Sequence, residues 1–436
     1  MTDLLAHDRI AVPNSPPPPG FVVREHHGCH RSLVPRARER FLAGGVVGPG
    51  IDVVAVPAAR AAANLHQSAA VAAELDVPLV VLASRETVPA AAHEVARVHL
   101  PSDRIVIVTQ NGKWHVPRVM LTADTEPTSR GRTSDTSAKR NLAIAMARMC
   151  GWERVLFVDD DVSGFGRLET DTVRRALADG TGLEAVGWTF DRFPDNSMVC
   201  HAYRLAGAEQ STFIGAGALA VRVAEHTPHF PLVYNEDWLF MLPLMLRQEV
   251  ALARAGSLTQ DRFDPFARPG DAVKQEFGDV LGEGLFRLVH LGMDISAAQT
   301  RGYWRTVLRI RAELIERTAD RLARGLGRRC PATQLVEAVQ ALHEASASYC
   351  RPIAGPTGIE VPWIDALASW VVAWRHDSLT WSNYLGELPT RVGLDVALRR
   401  LRLSRYEPPS MADTPPAPTP TVVAQRPTRA VAAALT

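Results

Sequence analysis

What this chain has little of already narrows its identity. Its 436 residues include only five cysteines, at 29, 150, 200, 330 and 350. They form no Cys-x-x-Cys pair and are odd in number, so no disulfide framework is expected and the thiols read as reduced, in a cytoplasmic setting. No apolar run approaches the ~18 to 20 residues that span a bilayer, so no integral membrane segment is expected. The first residues lack the basic-then-apolar pattern of a secretory signal. Neither sign of charge is in excess: 48 Lys and Arg face 47 Asp and Glu. Without a global field no nucleic-acid partner is expected, and an anionic ligand has to be met by local groups. Aromatic residues cease after Tyr406 while proline becomes frequent, as in a tail that cannot build a core.

What is present is an apolar content of 46%, enough to fill a core in a chain long enough for two or three domains. Residues 1–50 read as an irregular arm, because PNSPPPPG at 13–20 cannot join a helix or a central strand. From Ile51 strand and helix patterns alternate. IDVVAV, PLVVLAS (78–84), RIVIVT (104–109) and RVLFV (154–158) read as buried strands. Between them lie an Ala-rich segment to about Leu75, AAAHEVARVHL, and SAKRNLAIAMARMC (137–150) with Ser137 as its N-cap, all helical. Such alternation predicts an α/β fold with a mainly parallel sheet. EAVGWTF, SMVCHAYRL and STFIGAGALAVRV read as shorter strands of a second half. From about Gln275 the texture is helical, with helices predicted in 303–326, 333–349, 362–375 and 390–403.

The fourth strand runs directly into Asp159, Asp160 and Asp161. Ligands of open α/β sheets sit at carboxyl ends of strands, which is where these acids fall. If the extended backbone continues, alternation turns Asp159 and Asp161 to one side and Asp160 to the other. Two converging carboxylates repel each other. A bound Mn²⁺ or Mg²⁺ relieves that repulsion and keeps positions open for diphosphate oxygens. The competing reading is a solvated acidic turn.

The run SAKRNLAIAMARMCGWERVLFVDDDV, with Arg140-Asn141 opening the helix before an Asp-x-Asp strand end, resembles the inverting family-two glycosyltransferases of the GT-A fold. STFIGAGALAVR and YNEDWLF are similar to that family's Gly-containing acceptor-side strand and its Glu-Asp motif. The resemblance covers about residues 51–245. It implies a Rossmann-like nucleotide-diphospho-sugar transferase sheet flanked by helices in a catalytic domain at 51–274. A helical C-terminal region at 275–405 and a disordered Pro-rich tail at 406–436 follow. It further implies a hexosyltransferase-type enzyme with a nucleoside-diphosphate sugar donor and a small-molecule, glycan or lipid-linked acceptor. Asp159 and Asp161 would hold the metal and Asp160 would help orient ribose or order the metal's waters. Arg140 and Asn141 would lie at the donor, Arg140 facing the diphosphate, a charge that the free N–H groups of a helix start also favour. Asp237 would be the catalytic base with Glu236 beside it, while Trp238 and Phe240 stack on a sugar. Pro57 and Arg60 follow the first strand, near the base and ribose. At the end of the second strand the family's usual acid is replaced by Ser84 or Arg85, so Arg85 becomes a donor-binding candidate and the nucleobase stays open.

Two constellations remain. Glu276, Asp279, Glu283, Arg287 and His290 share one helical face, read either as an internally paired or solvated row or, for His290, as a further metal ligand. HHGCH at 26–30 matches no standard zinc spacing and is expected to be a disordered loop. Three rivals compete with the transferase. A dinucleotide-dependent oxidoreductase would use FIGAGALA, with Glu236 about twenty residues on as the ribose acid. A nucleotidyltransferase would need a Gly-rich loop after the first strand, but VPAARAAAN has no glycine. A catalytically silent GT-A-like binding protein would leave the candidate base without a task.

Overall fold

The computed structural model describes residues 50–119, 134–190, 197–208, 214–253, 258–261, 264–354 and 359–408. Almost all of the predicted N-terminal arm, the HHGCH cluster, residues 120–133 and the tail beyond Pro408 lie outside these residues. The described residues up to Tyr406 make one compact unit, and of the second, 407–436, only Glu407 and Pro408 are described.

Strand and helix alternate through the first half. Strand β1 (Val53–Val56) is followed by α1 (His66–Leu75), β2 (Leu79–Leu82) by α2 (Pro89–Ala96), and β3 (Ile105–Thr109) by α3 (Thr136–Cys150) and β4 (Arg154–Val158). Each of these strands is an apolar run buried on both faces. Val53 and Ala55 enter the core layer beneath α3, while Val54 and Val56 enter the layer beneath α1 and α2. Gly151, with φ of 76°, closes α3 in the left-handed conformation and turns the chain into β4. The cap expected from Ser137 is not made: α3 starts at Thr136, and Ser137 Oγ donates to the Pro231 carbonyl at 3.0 Å.

The second half is built from β5 (Val162–Ser163), α4 (Arg167–Ala176), β6 (Ala185–Gly187), α5 (Met198–Leu205), β7 (Ala218–Arg222), α6 (Glu236–Leu246), β8 (Val250–Leu252) and β9 (Thr259–Gln260). SMVCHAYRL is a helix, not the strand its β-formers suggested. Ser197 caps it by accepting the Cys200 N–H at 3.2 Å, and Met198, Val199 and Ala202 pack against α8 and α9. Here tertiary packing overrides strand propensity.

The remaining elements are α7 (Ala272–His290), α8 (Arg301–Ala323), α9 (Ala332–Ser348), the hairpin β10 (Ile353–Ala354) and β11 (Glu360–Val361), α10 (Trp363–Glu387), α11 (Leu394–Arg400) and β12 (Ser404–Arg405). Helices α7 and α10 share one hydrophobic core with α3, α6 and the sheet. The expected helical end at 390–403 is the short α11, after which β12 returns to the sheet. Tyr406, placed in the tail by its sequence, donates its N–H to the Ile107 carbonyl at 2.9 Å.

The main sheet has the order β12-β3-β2-β1-β4-β7-β6-β8. Strands β1 to β4 are parallel, β7 runs antiparallel to β4 and β6, β8 is parallel to β6, and β12 is antiparallel to β3. From β1 the chain winds outward to β2 and β3, then returns to the other side of β1 as β4. The crevice at the carboxyl ends of β1 and β4 is therefore the topological switch point, the position at which open α/β sheets take their ligands.

Candidate active site

Four segments meet at that crevice: the turn after β1, the triple aspartate after β4, the first turn of α3 and the start of α6. The aspartates do not continue the strand. Asp159 N–H still bonds the Gly217 carbonyl at 2.9 Å, but Val162 N–H then closes a turn on the Asp159 carbonyl at 3.1 Å. This turn defeats the expected alternation. Asp160 and Asp161 share one cation, Arg60, while Asp159 is turned towards another, Arg140.

Asp160 is buried and anchors the β1 turn. Its Oδ2 accepts the backbone N–H groups of Ala59 and Arg60 at 2.8 and 2.9 Å, and its Oδ1 accepts the Arg60 guanidinium. The second guanidinium nitrogen of Arg60 reaches Asp161 Oδ2 at 2.8 Å, which Gln260 Nε2 also approaches at 3.2 Å. Pairing of β5 with β9 carries Gln260 there, and Asp261 N–H donates to the Asp161 carbonyl at 3.0 Å.

Arg140, expected to face a diphosphate, is 3% exposed and joins two carboxylates. One guanidinium nitrogen meets both Asp159 oxygens at 2.8 and 2.9 Å and the other meets Glu236 Oε1 at 3.1 Å. Burial pulls its pKa down, but Asp159, Glu236 and Asp237 outweigh that and the net shift is upward, so it stays a cation. Burial likewise raises the carboxyl pKa of Asp159, Arg140 opposing and Asp160 and Glu236 reinforcing the shift. Asn141 is committed elsewhere: its amide donates to and accepts from the Phe230 backbone, both at 2.8 Å. It fixes the loop before α6, not a ligand.

Asp237 approaches from the start of α6. Its Oδ2 accepts the Ala216 N–H at 3.0 Å, across the Gly215-Ala216-Gly217 segment. A methyl at Gly215 would lie 3.3 Å from Asp237 Oδ2; one at Gly217 would lie 3.4 Å from Asp159 Oδ2 and 3.3 Å from the Phe190 ring. Two glycines thus form a floor between Asp159 and Asp237 that side chains would crowd. This segment precedes β7 and does not turn from a strand into a helix, so the dinucleotide-binding reading of FIGAGALA is overturned. Trp238 and Phe240 do not face the crevice. Trp238 packs edge-on against Phe286 and Phe240 stacks on Phe230 at 4.0 Å, both buried.

At the ends of β1 and β2, Pro57 is buried and Arg60 is half-exposed, while Arg85 is exposed in the left-handed region at φ 53°. Lys139 was missed by sequence reasoning. Fully buried, it donates to the Ala58 carbonyl and Ser84 Oγ, both at 2.7 Å, pairs with Asp135 at 3.0 Å and lies 5.2 Å from the Trp114 ring centre. Burial lowers its pKa against the pull of Asp135. It ties the ends of β1 and β2 together where the family's acid was absent. A cation in the first turn of a helix opposes the dipole, and that misfit was the available signal.

His290 ends α7, fourteen residues or about 21 Å of helix from Glu276. The acids of the row it was read with are buried, and their counter-charge comes from another helix, not from solvent or from their own face. Arg311 of α8 meets Glu276 at 2.8 Å, Asp279 at 2.7 Å and Glu283 at 2.9 Å, and Asn235 Nδ2 reaches Asp279 Oδ1 at 2.8 Å. Asn235, itself left-handed at φ 64°, directly precedes Glu236. Cys200, Asp279 and Glu283 lie within 4.8 Å of one another, but Arg311 already supplies the counter-charge there.

Fold and site together describe an α/β protein with an acidic crevice at its sheet switch point, carboxylates from β4 facing a carboxylate from α6 over a glycine floor. No family model matches the chain, and no curated protein does. Solved structures similar to it include glucosyl-3-phosphoglycerate synthase from Mycobacterium tuberculosis in complex with Mn²⁺, uridine diphosphate and glucosyl-3-phosphoglycerate, at 17% identity over 64% of this chain and 88% of that one, TM-score 0.36. Mannosyl-3-phosphoglycerate synthase from Rubrobacter xylanophilus aligns at 14% identity over 61% and 81%, TM-score 0.35. Scores this low carry no argument about chemistry, which rests on the crevice itself.

Proposed function

We propose that the chain is a metal-dependent glycosyltransferase of GT-A type that moves a sugar from a nucleoside diphosphate to an acceptor hydroxyl with inversion. The observation that carries the reading is the opposition of Asp159 and Asp237 across Gly215–Gly217, at the carboxyl edge of the sheet. Asp159 and Asp161 offer hard carboxylate oxygens of the kind a divalent cation takes, beside a position where residue 217 contributes no side chain; each is held by a different arginine, so a cation shared by both would have to draw Asp161 from Arg60. When bound, Mn²⁺ or Mg²⁺ would neutralise the charge that builds on the departing diphosphate. In an inverting transfer the acceptor oxygen bonds the anomeric carbon as the bond to the diphosphate oxygen breaks, and the electron pair leaves with the diphosphate. Asp237 takes the hydroxyl proton. Arg140 holds Asp159 and Glu236 in register, so the acid that faces the donor and the acid that neighbours the base keep a fixed spacing. Asp160 keeps the β1 turn against the crevice, where a ribose would lie.

Purified protein tested against a panel of sugar nucleotides should show Mn²⁺-dependent thermal stabilisation and metal-dependent release of nucleoside diphosphate, with both lost in Asp161→Ala. Stabilisation without turnover on any acceptor would indicate the silent binding protein. Absence of both, with a response to nucleoside triphosphates, would favour a nucleotidyltransferase.

A further inference from the structure

The two guanidinium groups on the acidic turn differ in what holds them. Arg140 is buried between Asp159 and Glu236, and removing it would strand charges inside the protein. Arg60 has a side chain 52% exposed, yet its guanidinium covers oxygens of both Asp160 and Asp161. Its backbone is pinned independently, since the N–H groups of Ala59 and Arg60 donate to Asp160 Oδ2 whatever the side chain does. The carboxylates of Asp160 and Asp161 are themselves buried, with side chains 4% exposed, but the guanidinium lies on the solvent side of the pair, where water or another cation can take its place.

We infer that Arg60 is an exchangeable counter-ion of the cation site. It neutralises Asp161 until a divalent cation arrives, leaves that carboxylate to the cation, and swings about its pinned backbone to meet the diphosphate that follows. A planar guanidinium suits both duties, since it bridges carboxylates and phosphates alike through paired N–H donors. Arg60 would thus compete with the metal alone and cooperate with the metal-bound nucleotide. The inference rests on the transferase reading above, because Asp161 has to be a cation ligand for the exchange to occur.

The test separates those two statements by measuring binding without turnover. Mn²⁺ alone is titrated by calorimetry or by loss of its free-ion electron paramagnetic resonance signal. UDP and GDP are then titrated in parallel at saturating Mn²⁺. In Arg60→Met, Mn²⁺ alone is expected to bind at least about twofold tighter, because the guanidinium no longer competes for Asp161. The better of the two nucleotides should bind at least about tenfold weaker, as expected for a lost charge-assisted contact. Arg60→Lys restores the charge and should return Mn²⁺ affinity towards the wild-type value; it also decides the question if Arg60→Met fails to fold. Opposite changes in two affinities are not what a loosened structure produces. Wild-type Mn²⁺ affinity in Arg60→Met, or undiminished nucleotide binding, overturns the exchange while an effect of Asp161→Ala leaves the transferase reading standing. If wild type binds no Mn²⁺, or Asp161→Ala binds it equally, both fall.

Discussion

At the residue scale the crevice is a set of carboxylates whose charges are managed differently. Asp159 is held by a buried arginine, Asp160 by two backbone amides, Asp161 by a side chain that solvent reaches, and Asp237 by the Ala216 amide. At Asp237 the Trp238 N–H donates to the other carboxylate oxygen, so two backbone amides fix the orientation of the candidate base. Asp237→Asn keeps size and can keep one hydrogen bond, so the fold and nucleotide binding should survive. Transfer should fall by a factor of about 10² to 10⁴, the usual range for a lost acid or base. Initial rates and nucleotide titrations on the same preparation check this, and unimpaired transfer would assign the proton to another group. The Asp-x-Asp and Glu-Asp pairs could be found in the sequence because they are contiguous. The pairing of Asp159 with Arg140, and of Asp161 with Arg60, could not, because a four-residue turn replaced the alternation on which the sequence argument relied. Lys139 was hidden for a related reason: its partners lie 81 and 55 residues away at the ends of β1 and β2.

At the scale of elements, strands β1 to β4 were legible because parallel strands buried on both faces are unbroken apolar runs. Helix α5 was not, since its residues form strands equally well in isolation and only the groove between α8 and α9 selects the helix. The acidic face of α7 was half legible: its spacing identified the row, while the cation that pairs it belongs to another helix. Arg311 gathers Glu276, Asp279 and Glu283 in the interior, and burial lowers its own pKa less than the three acids raise it. A methyl at Gly278 would lie 2.1 Å from the Tyr234 carbonyl, so α7 rests directly on the chain entering α6. With the Asn235–Asp279 bond, this places the start of α6 under control of the α7–α8 contact. Arg311→Met should therefore destabilise the protein by roughly 3 to 5 kcal/mol, the cost of stranding buried carboxylates. Chemical denaturation read by tryptophan fluorescence would measure it, and a loss below about 1 kcal/mol would mean that the acids are protonated or solvated instead.

For the whole molecule, two features tie distant parts of the chain together. His229, fully buried beside Trp381 of α10, has an Nε2 without a hydrogen-bond partner among the described residues, and burial lowers its pKa from 6.5 to about 3. The folded state then binds fewer protons at this site than the unfolded state between those values. Stability is full above pH 6.5 and is lost as pH falls towards 3. From pH 7 to 5 this residue alone should cost about 2 kcal/mol. His229→Phe should lose correspondingly less stability than wild type over that interval in paired urea titrations, and identical acid limbs would contradict the assignment. The other feature is β12, whose Ser404 and Arg405 pair with Thr109 and Val108 of β3. During synthesis β3 emerges almost three hundred residues before its outer neighbour, so a nascent chain carries an unguarded sheet margin for most of its translation. Products terminated before Arg405 would keep that margin open to adhesion with other chains, making synthesis through β12 a condition for covering it.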